Sequence, residues 1–218
     1  MKYDLIIFDY DGVVADSEVL NSTVMAEQLT ALGLPTSLDE VLAAYTGKRW
    51  RDNRPVVEAA LGRACPEDFH TNWFATCRAR APRQLKPVPG LVDFVAARPE
   101  ARCIASSSGP DWIGVGLDLF GLTDHFDGAV FTGLVVERGK PHPDIFLHAA
   151  RRMGADPART LVIEDSEAGV TAGVAAGMTV VGLLAGGHVR DGHAERLRDR
   201  GAHHLADSYA AVAAFIDA

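Results

Sequence analysis

The sequence predicts an α/β protein: a parallel sheet flanked by helices, with a helical domain inserted after the first strand. Three observations carry this expectation. Strand-like apolar runs recur at residues 4–9, 102–106, 129–132, 160–164 and 179–184, and helical patterns at 111–120, 143–153 and 167–176 separate the later ones, as βαβ units require. About ninety residues lie between the first two strands, far more than one crossover needs. The chain has 218 residues, 48% of them hydrophobic and 23% charged, which suits a core domain carrying a smaller insert. The expected architecture is a Rossmann-like sheet over residues 1–16 and 83–218, with residues 17–82 as an inserted α-helical cap.

The first strand is the run Leu5-Ile6-Ile7-Phe8, which stops on Asp9. The insert then has its own helical grammar. Glu18, Ser22, Met25, Leu29 and Leu32 follow a three-four spacing, and Gly33 with Pro35 ends that helix. Ser37-Leu38-Asp39-Glu40 reads as a capping box that opens a second helix, closed by Gly47. A third helix runs from Trp50 to Leu61. Pro66 suits the first turn of a fourth, which should end near Ala81-Pro82. "LKPVPG", residues 85–90, returns the chain to the sheet. The uncharged stretch 168–187 contains six glycines and reads as a buried helix stopped at Gly177 and followed by a strand, not as a membrane span.

Composition excludes several classes of function. A formal charge of −8, with no cluster of basic and aromatic residues, argues against a nucleic-acid partner. Cys65, Cys77 and Cys103 are odd in number and far apart, so reduced thiols in a reducing compartment are expected. The apolar run before Asp9 is too short for a signal peptide. The expectation is a cytoplasmic monomer with no membrane partner. His188/His193 and His203/His204 lack a third ligand and read as dispersed surface histidines, and Trp50 reads as core of the insert.

The chemistry lies in "FDYDGVVADSE", residues 8–18. Asp9 and Asp11 share a face of an extended chain, and Gly12 frees the backbone to turn. Ligands of parallel sheets gather beyond the carboxyl ends of the strands, so Asp9, Ser106 and Glu164-Asp165 should converge. Two carboxylates about 4–5 Å apart repel by roughly 3–4 kcal/mol at an effective dielectric of about 20. A hard dication resolves that conflict, and an all-oxygen shell keeping several waters selects Mg²⁺. Ser106 offers a hydroxyl to an anion, and Lys140 is a cation able to neutralise a carboxylate or a phosphoryl group. Together these groups suit phosphoryl transfer, with one aspartate as nucleophile and the other as acid and base.

"FDYDGVVADSE", "IASSS", "GKPHPDIF" and "LVIEDSEAG" resemble, in order, the four motifs of the haloacid-dehalogenase-like hydrolase superfamily. The likeness covers nearly the whole chain and extends to helical-cap members such as β-phosphoglucomutase and small sugar-phosphate phosphatases. It implies Asp9 as nucleophile and Asp11 as general acid and base, with Ser106 and Lys140 binding the phosphoryl group. It also implies a Mg²⁺ site made by Asp9, the Asp11 carbonyl and Asp165, with Glu164 acting through water. Asp11 favours phosphate chemistry over dehalogenation, since the founding dehalogenases lack an acid there. Asn21 stands where an ungapped alignment puts the cap histidine of β-phosphoglucomutase, and an amide cannot shuttle a proton. A phosphatase acting on a small phosphorylated metabolite therefore ranks above a mutase. A receiver-like signalling module ranks below both, because such modules carry no ninety-residue insert and place the phosphorylated aspartate on a later strand. Glu18, Asn21, Gly47, Arg49 and Ser107 are the candidate substrate contacts; for Glu18 a solvated acid in a helix's first turn remains the alternative, and for the Gly47–Arg49 loop an ordinary charge run.

Overall fold

The computed structural model describes residues 2–45 and 50–218. The chain divides into two compact units, Met1–Asp16 with Lys86–Ala218, and Ser17–Leu85. Strand β1 (Leu5–Phe8) is buried at all four positions, as a strand covered on both faces must be.

Among its described residues the Ser17–Leu85 unit holds four helices, α1 (Ser17–Ala31), α2 (Leu38–Ala44), α3 (Trp50–Leu61) and α4 (Phe69–Gln84). Met25 and Leu29 of α1 meet Val41, Val57 and Phe69 in its core. Trp50 packs on that core, its ring stacked 4.9 Å from Phe69. The capping box at α2 is complete: Ser37 Oγ accepts the Glu40 N–H, and the Glu40 carboxylate accepts the Ser37 N–H at 2.7 Å. Two expectations need correction. Pro66 precedes α4 by a turn, Phe69 N–H closing onto its carbonyl. At its other end α4 runs through Pro82 to Gln84, because a proline removes only its own N–H and Leu85 N–H still reaches the Ala81 carbonyl at 3.0 Å.

The sheet unit resumes with α5 (Leu91–Ala97), β2 (Ala101–Ser106), α6 (Pro110–Phe120), α7 (Thr123–Phe126) and β3 (Val130–Thr132). It continues with α8 (Asp144–Arg152), β4 (Thr160–Glu164), α9 (Glu167–Ala175) and β5 (Thr179–Leu183). It closes with α10 (His193–Asp199), β6 (His204–Ala206) and α11 (Tyr209–Asp217). The strand order is β3-β2-β1-β4-β5-β6, and every pairing is parallel. Chain order reverses between β1 and β4, which pair directly, Phe8 opposite Ile163. That reversal opens a crevice beyond the carboxyl ends of these two strands. Asp9 follows one of them, while Glu164 ends the other and Asp165 follows it. No helix among the described residues is long and apolar enough to cross a membrane.

Candidate active site

Asp9 is buried, and its N–H continues the ladder to the Ile163 carbonyl at 3.0 Å, which fixes the residue against β4. Lys140 Nζ donates to Asp9 Oδ1 and to Glu164 Oε1, each at 2.6 Å, and lies 4.8 Å over the Phe146 ring. Glu164 Oε2 accepts the N–H groups of Asp165 and Ser166 at 2.8 Å and the Ser166 hydroxyl at 3.0 Å. Glu164 therefore braces both the lysine and the start of α9. Burial pushes the Asp9 carboxyl well above the usual range; Lys140 opposes this, and the charges of Glu164 and Asp165 add to it. For Lys140, burial works against the ammonium, but Asp9 and Glu164 outweigh it and hold the group protonated.

Asp11 sits two residues on, at the turn where Gly12 takes φ +76°. Ser108 Oγ donates to Asp11 Oδ2, and the buried Trp112 indole N–H donates to Oδ1 at 3.2 Å. Ser106 is buried, and its Oγ accepts the Ser108 N–H at 3.2 Å, so its own O–H is the donor it can offer an anion. Neither Ser108 nor Trp112 was singled out from sequence as a partner of Asp11. The only signal was the run of serines after β2, with Trp112 one helical turn further on.

A profile of the haloacid dehalogenase-like hydrolases matches residues 3–177. The chain belongs to this family. Fructose-1-phosphate phosphatase of Escherichia coli is 31% identical over 182 residues, 83% of this chain and 96% of that protein. A haloacid dehalogenase-like protein from Agrobacterium tumefaciens superposes with a TM-score of 0.90 at 33% identity, covering 99% and 98% of the two chains. A hydrolase of the same family from Deinococcus radiodurans, crystallised with phosphate and sodium, has a TM-score of 0.83 at 31% identity over 99% and 95%. The matched residues 3–177 include Asp9, Asp11, Ser106, Lys140, Glu164 and Asp165.

The donor chemistry of this acidic cluster suits a divalent cation. Carboxylate oxygens of Asp9, Glu164 and Asp165 lie within 4.8 Å of one another, all three residues buried, an all-oxygen set of the kind a hard divalent cation takes. Glu164 already uses both oxygens within the protein, so Asp9 and Asp165 are the carboxylates with more to offer.

Asp165 also corrects an expectation. His188 and His193 are not dispersed on the surface. His188 is 7% exposed, and its Nε2 lies 2.9 Å from Asp165 Oδ2. His193 Nε2 is 2.7 Å from the Asp165 carbonyl, and burial holds its pKa below the ordinary value. His204 stacks on Phe215 at 4.5 Å, and His203 Nδ1 accepts the Val180 N–H at 3.1 Å, so that pair serves the edge of the sheet.

Of the candidate substrate contacts, Ser107 lies in the loop after β2, exposed beside buried Ser106. Glu18 and Asn21 belong to the helical unit, in the first two turns of α1. The Asn21 carbonyl accepts the Trp73 indole N–H at 2.8 Å, while Asn21 Oδ1 is buried without a hydrogen-bond partner among the described residues. Gly47 and Arg49 lie outside the described residues.

Proposed function

We propose that this protein is a Mg²⁺-dependent phosphatase that hydrolyses a small phosphate monoester of the sugar-phosphate class through an aspartyl-phosphate on Asp9. The observation that carries the reading is the Asp9 carboxylate, buried beside Asp165 and bonded to Lys140 at 2.6 Å, with the hydrogen-bonded carboxylate of Asp11 two residues on. The substrate class draws support from the Escherichia coli relative.

Asp9 attacks phosphorus, and the ester P–O bond breaks as Asp11, in its acid form, gives its proton to the departing alkoxide. Asp11, now a carboxylate, takes a proton from water as that oxygen attacks the phosphoryl group. The bond between Asp9 and phosphorus breaks, inorganic phosphate leaves, and the Asp9 carboxylate is regenerated. Lys140 orients Asp9 and offsets its charge, while the Ser106 hydroxyl donates to a phosphoryl oxygen. A Mg²⁺ ion held by the carboxylates of Asp9 and Asp165 and the carbonyl of Asp11 supplies positive charge for the phosphoryl oxygens. Substrate choice we assign to the helical unit, read as a cap. Three buried free cysteines suit action in a reducing cytoplasm.

The test is release of inorganic phosphate from a panel of phosphorylated sugars and polyols with Mg²⁺. Turnover that Asp9→Asn abolishes supports the reading. A long-lived phosphoprotein without turnover favours a signalling module, and isomerised sugar phosphate in place of free phosphate favours a mutase.

A further inference from the structure

We infer that His188 and His193 are positioning residues that grip Asp165 at its side chain and its main chain and so prepare it to bind a divalent cation. The inference rests on the reading of Asp165 as a metal ligand given above.

Two histidines from separate segments meet on this one aspartate. His188 lies in the turn after β5, and its Nε2 approaches Asp165 Oδ2 at 2.9 Å with both side chains buried. His193 opens α10. Its Nδ1 accepts from Arg196 Nη2 at 3.3 Å, so the ring proton is on Nε2, which donates to the Asp165 carbonyl at 2.7 Å. The two rings lie edge to face, their centroids 5.6 Å apart.

The chain clears space for this arrangement. A Cβ on Gly12 would lie 1.9 Å from Asp165 Oδ2 and 2.8 Å from His188 Cε1. A Cβ on Gly186 would lie 2.7 Å from His188 Cε1. Either would displace the imidazole or the carboxylate. The loop carrying His188 is tied in turn to the start of the chain, since Gly187 N–H donates to Asp16 Oδ1 at 2.9 Å. The segment that presents Asp9 and Asp11 therefore also locates the histidine that holds Asp165.

An aspartate at a strand end has two side-chain torsions and two equivalent oxygens. With Oδ2 engaged by an imidazole and the carbonyl by a second, its orientation is set before any cation arrives. Partners of this kind hold a ligand's geometry, and their loss typically weakens metal binding by about 10–100-fold. A buried pair serving stability alone would instead lower the melting temperature and leave metal affinity unchanged.

Mn²⁺, whose binding is read by electron paramagnetic resonance without substrate or turnover, separates these cases. The full-length chain is titrated as wild type, Asp165→Asn, His188→Leu, which fills the space without a donor, and His188→Gln, which restores an N–H. The expected result is loss of the site in Asp165→Asn, affinity about 10–100-fold weaker in His188→Leu, and recovery to within a few-fold in His188→Gln. Wild-type affinity in His188→Leu, with Asp165→Asn unable to bind, overturns the inference and leaves the metal reading intact. Wild-type affinity in Asp165→Asn overturns both. Should His188→Leu fail to fold, His193→Leu takes its place, with weakened binding expected and unchanged binding contradicting the proposal.

Discussion

Lys140, in the loop before α8, donates at 2.6 Å to Glu164 at the end of β4, and Glu164, fully buried, has no solvent to take the lysine's place. The pair is a buried ion pair whose second anion, Asp9, is the proposed nucleophile. Removing the cation leaves two buried carboxylates facing each other.

Lys140→Met is accordingly expected to destabilise the fold by about 3–5 kcal/mol, the usual cost of stripping one partner from a buried pair. Phosphate release should fall by at least about 100-fold, since the lysine is also proposed to orient Asp9 and offset its charge in the reaction. Urea unfolding and steady-state kinetics check the two effects separately. An unchanged unfolding midpoint would contradict the ion-pair description.

Gly169→Ala sets two effects against each other. Alanine favours a helix over glycine by about 1 kcal/mol. Yet the new Cβ would lie 1.6 Å from Glu164 Oε1, in the middle of the lysine's anchor. Overpacking of this kind costs about 1–3 kcal/mol, so the variant should melt lower than wild type and turn over more slowly. A higher melting temperature would mean that helix propensity decides this position.

Trp112→Phe keeps an aromatic ring in the same buried place and removes only the N–H that Asp11 accepts. A hydrogen bond to a charged group contributes about 1.5–3 kcal/mol, so kcat should drop by about 10–100-fold with little change in KM. Ser108→Ala should act in the same direction, and the double variant by less than the product, because both hold one carboxylate. A rise in KM with kcat intact would assign Trp112 to substrate binding instead.

Away from the site, the acid limb of stability should depend on Glu100. Burial works to raise its pKa, but hydrogen bonds from Arg98, the shorter at 2.6 Å, outweigh this and leave the carboxyl below its ordinary value of 4.5. A depressed folded-state value means that the stabilisation is full above the ordinary value and is lost as pH falls through the folded one. Glu100→Gln should therefore be less stable at neutral pH and show a shallower loss of stability below pH 4.5. Urea midpoints from pH 7 to pH 3 measure this, and parallel curves for the two proteins would contradict it.

The parts of this molecule legible in its sequence are those whose cause is local. The unbroken apolar runs of β1 and β4 announce strands buried on both faces, and their parallel pairing brings Asp9 beside Glu164 and Asp165. The capping box at Ser37 is a four-residue signal and reads at once. By contrast, β6 spans three residues and begins on a histidine, so no alternation could reveal it. The continuation of α4 past Pro82 rests on backbone hydrogen bonds that a proline leaves in place, the Leu85 N–H to the Ala81 carbonyl among them. Trp112, Ser108 and His188 reach Asp11 and Asp165 over separations that no spacing rule encodes. His188 gives no such signal because the turn that buries it is set by Gly12 and Asp16 near the start of the chain and by Gly186 far from them, while His193 reaches Asp165 from the start of α10.

The identity of the attacking group can be read chemically. Asp11→Asn, given p-nitrophenyl phosphate with Mg²⁺, should accept the phosphoryl group, since this leaving group needs no proton, and should release it slowly for want of a base. Borohydride reduces an aspartyl phosphate to homoserine, which peptide mass spectrometry then locates. Homoserine at position 9, in protein that met substrate before reduction and not in protein that did not, is the expected outcome. A reduced residue elsewhere, or none while phosphate continues to be released, would contradict covalent catalysis by Asp9.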